Sequence, residues 1–262
     1  MNLPFSRLGL HGSVLVLSML FAALLAGGAW ASELVESIRR VRPSIIAVGT
    51  FKPTASPQFT FRGTGFAVGD GSMVVTNAHV LPKSVDLEAY ESIAIAIPGD
   101  DGPGASGRKA ELLASDPEHD LALLKISGPP LVPLALASDG LVEEGELVAF
   151  TGFPIGSVLG LIPVTHRGIV SAVTPIVMPG RSARELNARN IRSLKDPFRV
   201  YQLDATAYPG NSGSPLYRPG SSEVIGLINM VLVKATKESV LSQPSGISYA
   251  IPSRYIHELM KR

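Results

Sequence analysis

From residue 45 onward the chain is cut into short runs of β-branched or alternating apolar residues, each closed by glycine, proline or aspartate, and this spacing limits the fold more than any other feature. Strands are predicted at 45–51, 60–68, 73–76, 92–97 and 121–126, then at 147–151, 164–173, 199–204, 224–233 and 246–251. A parallel α/β sheet would need longer helical segments between its strands. The pattern instead predicts an all-β sandwich or barrels. Helices are expected only at the ends: a lead-in at 33–41, and a closing helix at 252–261 with Ser253 as cap and Ile256, Leu259 and Met260 packing inward. Residues 99–107, rich in Gly, Asp and Pro, are read as a flexible surface connection, and no internal repeat stands out.

Such a chain must be held by its core alone, because it contains no cysteine and so no disulfide. Residues 1–31 read as a secretory signal: Arg7 in a short basic start, a mostly apolar stretch at 14–25, and Ala29-Trp30-Ala31 as a small-x-small site with cleavage after Ala31. An uncleaved membrane anchor is the alternative, but the apolar run is shorter than the ~20 residues a spanning helix needs. About 230 residues would remain, enough for one well-buried unit. The formal net charge of +1 includes Arg7, and residues 1–31 carry no acid, so the remainder balances at zero. That balance leaves no basic excess for nucleic acid or anionic lipid, and no stable membrane insertion is expected once the signal is cleaved. The basic cluster Arg181, Arg184, Arg189, Arg192 and Lys195 is read as a solvated loop.

Three residue types at predicted strand edges carry the chemistry. Gly210-Asn211-Ser212-Gly213 follows a Pro-Gly turn, which is how a hydroxyl is presented as a nucleophile, although Gly-Asn is also ordinary turn chemistry. Upstream, Thr76-Asn77-Ala78-His79 closes one apolar run and Asp116-Pro117-Glu118-His119-Asp120 opens another. A serine hydroxyl is a poor nucleophile until an imidazole takes its proton. The imidazole needs a buried carboxylate on its other nitrogen to fix tautomer and orientation. The expected roles are nucleophile for Ser212, general base and acid for His79, and orienting carboxylate for Asp120. The N–H groups of Gly210 and Ser212 are the expected oxyanion donors, each worth on the order of 10²–10³ in rate.

The chain resembles the trypsin-like (chymotrypsin-fold) serine proteases, and within them the disulfide-free HtrA/Deg branch. Gly63-Thr64-Gly65-Phe66, Thr76 to Val80, Asp116 to Ile126, Gly168 to Ala172, Asp204-Ala205 with Pro209 to Gly213, Val224 to Asn229 and Gly246 to Pro252 carry the likeness in order, over roughly residues 44–253. The resemblance implies two six-stranded antiparallel β-barrels, the first at about 44–135 and the second at about 145–252, with the cleft where they meet. It implies a serine endopeptidase acting on protein or peptide substrates, in the bacterial periplasm, in quality control or regulated proteolysis, with no cofactor. A catalytically silent peptide-binding or chaperone-like protein on the same fold is the alternative. A homotrimer is what the family suggests. Departures from its pattern are Ser214 where a second glycine is usual and Tyr208 where asparagine is common, and PDZ domains after residue 262 are not expected.

Specificity is read from Thr206, six positions before Ser212, where enzymes cutting after Lys or Arg carry an acid. Thr206, Tyr208, Leu227, Ile228 and Asn229 are the expected pocket residues, favouring a small or medium apolar side chain before the scissile bond. His119 is expected at the surface, pointing away from Asp120. In similar proteases the strand that holds His166 borders the cleft, where it would touch substrate, but His166 is read first as an ordinary edge-strand histidine. No catalytic metal is expected, since no HExxH or paired Cys/His spacing occurs. Residues 178–196 form a long polar insertion, and the resemblance implies that it orders the oxyanion hole on activation.

Overall fold

The computed structural model describes residues 33–85, 87, 90–99, 102–138, 142–176, 198–230 and 246–262. The expected signal at 1–31, the basic cluster and the 178–196 insertion lie outside them.

Helix α1 (33–41) leads through a 3-10 turn into two closed antiparallel barrels of six strands each. The first comprises β1 (Ile45–Phe51), β2 (Phe59–Val68), β3 (Met73–Asn77), β4 (Ser92–Gly99), β5 (Gly102–Asp116) and β6 (Leu121–Ile126). The second comprises β7 (Leu147–Gly152), β8 (Val164–Ile176), β9 (Phe198–Asp204), β10 (Pro215–Tyr217), β11 (Val224–Ile228) and β12 (Ile247–Pro252). A single helical turn, α2 (Gly156–Leu159), lies between β7 and β8. Around the first barrel the order is β1-β2-β3-β6-β5-β4, and around the second β7-β8-β9-β12-β11-β10, so one topology is used twice. Closure removes the unpaired edges that open sheets expose.

Two-residue alternation sorts the apolar side chains into three cores. Ile46 and Val48 of β1 join Val74, Ile95, Leu124 and Ile126 in one, built wholly from the first barrel. Val148, Phe150, Val170, Tyr201, Leu203 and Ile228 form another, wholly from the second. The intervening β1 residues Ile45 and Ala47 join Phe66, Val75, Leu121 and Leu123 in a layer shared with Ala149, Phe153, Leu227 and Ile251 of the second barrel. That layer glues barrel to barrel. Helix α3 (Ser253–Met260) seals it with Tyr255, Ile256 and Leu259.

Three expectations need correction. Residues 102–107, read as a flexible connection, belong to β5 and pair with β4 across Gly99↔Gly102 to Ala96↔Gly107. Their composition disfavours a strand, and pairing with a neighbour overrides it. No strand was expected over the rest of β5 either, and β10 was missed because Pro215-Leu216-Tyr217 is too short to show a period. Ser253 is not the cap of α3. Pro252 precedes the first turn, and the Ser253 hydroxyl, inside the helix, donates to the Ala137 carbonyl.

Candidate functional site

Strands β3 and β6 are neighbours in register, with Asn77 opposite Leu121, so the residues just after β3 and those just before β6 emerge at the same barrel rim. His79 sits in the 3-10 turn Ala78–Val80 directly after β3. Asp120 immediately precedes β6 with a φ of 53°, a left-handed conformation that aspartate tolerates better than most residues. The Asp120 carbonyl accepts the Ala78 N–H and the Asn77 amide, both at 3.0 Å. Its carboxylate accepts the His79 N–H on Oδ1 at 2.8 Å and the ring Nδ1–H on Oδ2 at 2.5 Å. A carboxylate can only accept, which fixes the proton on Nδ1 and leaves Nε2 with its lone pair. That lone pair faces Ser212: Nε2 and Oγ are 2.9 Å apart.

The serine arrives from the second barrel on a loop pinned to the first. Thr64 of β2 donates its hydroxyl to the Gly210 carbonyl at 2.7 Å, accepts the Phe153 N–H at 3.1 Å, and gives its own N–H to the Ser212 carbonyl at 2.8 Å. The Pro209 carbonyl accepts the Ile155 N–H at 2.6 Å. In a trans peptide the carbonyl and the following N–H point in opposite directions, so this bond turns the Gly210 N–H away from Ile155. Gly210 has a φ of 101°, and a Cβ there would lie 2.2 Å from the Phe153 carbonyl oxygen, so only glycine fits. The N–H groups of Asn211, Gly213 and Ser214 bond to Tyr208, Ile228 and Asn211 carbonyls, while among the described residues those of Gly210 and Ser212 enter none of these loop bonds. Ile155 itself has a φ of 51°, strained for a β-branched residue, and buttresses this loop.

Ser214, which departs from the usual glycine, is accommodated by Gly152: a Cβ at 152 would lie 1.9 Å from the Ser214 hydroxyl. Of the expected pocket residues, Leu227 and Ile228 are fully buried, one in the inter-barrel layer and one in the second-barrel core. They follow the strand's alternation into packing. Thr206 and Tyr208 are partly exposed, and the segment carrying them is fastened by Ser248, whose buried hydroxyl donates to the Ala205 carbonyl and accepts the Ala207 N–H. Asn229 is fully buried, and its amide donates to Asp120 Oδ2 at 2.8 Å. Its side chain therefore serves the carboxylate. Neither Thr64 nor Asn229 was singled out for such a role from sequence, because their partners lie 146 and 109 residues away.

The remaining histidines separate clearly. His119 is not a surface residue: its side chain is 14% exposed and bonds to Asp116. His166 stacks on Phe150 and tilts against Tyr208, and burial lowers its pKa. His257 bonds to the Ala137 carbonyl. Among the described residues no cluster of His, Asp and Glu is arranged to hold a metal ion.

The family model for the trypsin-like peptidase domain matches residues 63–227. A Brucella suis protein named "Probable periplasmic serine endoprotease DegP-like" is 33% identical over 208 residues, covering 77% of this chain and 33% of that protein. Serine protease HTRA4 of Mus musculus is 29% identical over 230 residues, covering 86% of this chain and 39% of that one. The chain thus spans between a third and two fifths of these curated relatives. The crystal structure of the serine endoprotease from Yersinia pestis aligns with a TM-score of 0.59 at 25% identity, covering 87% of this chain and 65% of that one. The active form of the Rv3671c protease from M. tuberculosis aligns at 0.59 with 19% identity, over 86% and 82% of the two chains, a likeness of fold.

Proposed function

Because the chain belongs to the trypsin-like peptidase family, we propose that it is a serine endopeptidase that cleaves peptide bonds through His79, Asp120 and Ser212. The observation that carries this reading is the unbroken relay from Asp120 Oδ2 through the His79 ring to Ser212 Oγ, 2.5 Å and 2.9 Å long and bridging the two barrels. His79 takes the Ser212 proton as Oγ attacks the substrate carbonyl, and Asp120 stabilises the imidazolium that forms. The Gly210 and Ser212 N–H groups receive the oxyanion, each worth on the order of 10²–10³ in rate. Collapse expels the amine, to which His79 returns the proton. Water then releases the acyl group by the same steps. Asn229 shares Asp120 Oδ2 with His79 and so holds the carboxylate in line.

We assign the protein to the bacterial periplasm, in quality control or regulated proteolysis, supported by the export-type residues 1–31 and by the DegP-like relatives. Thr206 and Tyr208 then border the specificity pocket, with apolar residues preferred before the scissile bond. A fluorophosphonate probe is expected to label the chain at Ser212 and casein to be cut, with Ser212→Ala losing both. Absence of labelling in the unaltered chain would refute the endopeptidase reading.

A further inference from the structure

Asp120 hangs from a turn whose other end holds a second histidine–aspartate couple. Asp116, the last residue of β5 and 3% exposed, accepts the backbone N–H of Glu118 and of His119 on Oδ1, at 3.1 and 3.3 Å. Its Oδ2 accepts the His119 Nδ1–H at 2.9 Å and the Arg262 guanidinium at 2.7 Å. The His119 ring stacks on Tyr255 of α3, with centroids 4.0 Å apart and planes at 21°, and meets Phe198 of β9 edge-on at 4.9 Å. Phe198 in turn meets Tyr255 edge-on at 5.6 Å. The turn from 116 to 120, part of the first barrel, is thereby fastened to two elements that lie 78 residues or more further along the chain.

We infer that the Asp116–His119 couple, locked to α3 by Tyr255 and to the residues after it by Arg262, is a positioning device for Asp120. The inference rests on the triad proposed for catalysis. Its physical basis is the left-handed Asp120: a non-glycine residue at a φ of 53° relaxes out of that conformation unless its surroundings forbid it. On the β6 side it is restrained by strand pairing and by Asn77, Ala78 and Asn229. On the β5 side the restraint is the Asp116 bonds within the turn, together with the ring of His119 wedged against Tyr255 and Phe198. Helix packing alone does not explain an imidazole here. An apolar ring would stack as well and keep the backbone N–H of 119 on Asp116 Oδ1, but would give Asp116 Oδ2 no side-chain donor.

The test compares the unaltered chain with His119→Phe, which keeps a ring against Tyr255 and removes the donor, and with Arg262→Ala and Arg262→Lys at a half-exposed position. The expected result is a drop in kcat of about ten-fold for His119→Phe and Arg262→Ala at unchanged KM, as a small misplacement of a catalytic group produces. The acid limb of the kcat/KM profile should shift, and the downfield proton resonance of His79 Nδ1–H should move or broaden. Arg262→Lys should restore most of each. Lower melting temperature with unchanged kcat, acid limb and His79 resonance would leave only a structural staple and overturn the inference. The resonance needs no turnover: if the unaltered chain is unreactive toward the fluorophosphonate the triad reading fails, yet the effect of His119→Phe on the His79–Asp120 bond still decides whether the couple positions Asp120.

Discussion

Two histidine–aspartate couples flank a single turn, and they differ less in their own bonds than in what the far side of each ring meets. His79 gives Nδ1–H to Asp120 and turns Nε2 to the Ser212 hydroxyl. His119 gives Nδ1–H to Asp116 and has its ring wedged between Tyr255 and Phe198. On the proposed reading the same pair of side chains serves as a proton relay where it borders the Ser212 hydroxyl and as a clamp where it borders aromatic rings. Chemistry is assigned by the third neighbour. The supporting shells differ accordingly: Asp120 takes an amide from Asn229 of the second barrel, whereas Asp116 takes a guanidinium from Arg262.

The sharpest way to break the comparison is one substitution made at both acids. Asp120→Asn keeps the shape but puts an amide against Nδ1, favouring the wrong tautomer, and kcat should fall by about 10⁴. Asp116→Asn should lower kcat by no more than about ten-fold, through looser placement of Asp120. Steady-state kinetics on a peptide ester and on casein checks both. Equal losses would mean that the two couples are not functionally distinct.

A smaller effect sharpens the role of the relay's partner. Asn229→Leu keeps the branched shape and heavy-atom count of the buried side chain and removes one donor from Asp120 Oδ2. Without that donor the carboxylate that steadies the imidazolium is held less firmly, and kcat should fall by about ten-fold with KM unchanged. An unaltered kcat would reduce Asn229 to packing.

These contrasts also mark what the sequence could reveal. Strands whose apolar residues alternate, such as β1 and β6, were visible because the alternation survives in burial, with Ile45 and Ala47 in one core and Ile46 and Val48 in another. The residues proposed for the relay could be picked out because His79 and Asp120 each sit beside a predicted strand terminus and Ser212 lies in the Gly210–Gly213 loop. What escaped depends on closure in three dimensions. The Thr64 hydroxyl meets Gly210, and Asn229 meets Asp120, across distances in the chain that no local pattern encodes. Expecting His119 at the surface came from treating residues 116–120 as extended; they form a turn, and Asp120 at positive φ defeats the alternation rule. Strand β5 (Gly102–Asp116) escaped whole: the glycines and proline of its N-terminal half carry no strand propensity, and only pairing with β4 makes that half a strand.

The smallest effect distinguishes the clamp from the relay by stability in acid. Burial tends to raise the Asp116 pKa, but the hydrogen bond and charge of His119 and the charge of Arg262 outweigh it and bring the value from 3.8 down to about 2. A carboxyl group with a depressed pKa binds fewer protons folded than unfolded, so its contribution is fully present above the unfolded value and is lost as pH falls through the folded one. The window is therefore about pH 4 down to pH 2, and the contribution is on the order of 1–2 kcal/mol. Asp116→Asn should lower the urea midpoint at pH 6, and its deficit against the unaltered chain should shrink by about that amount at pH 2.5. If the deficit is the same at both pH values, Asp116 is not held ionised by His119 and Arg262, and the clamp is a matter of stacked rings rather than of charge.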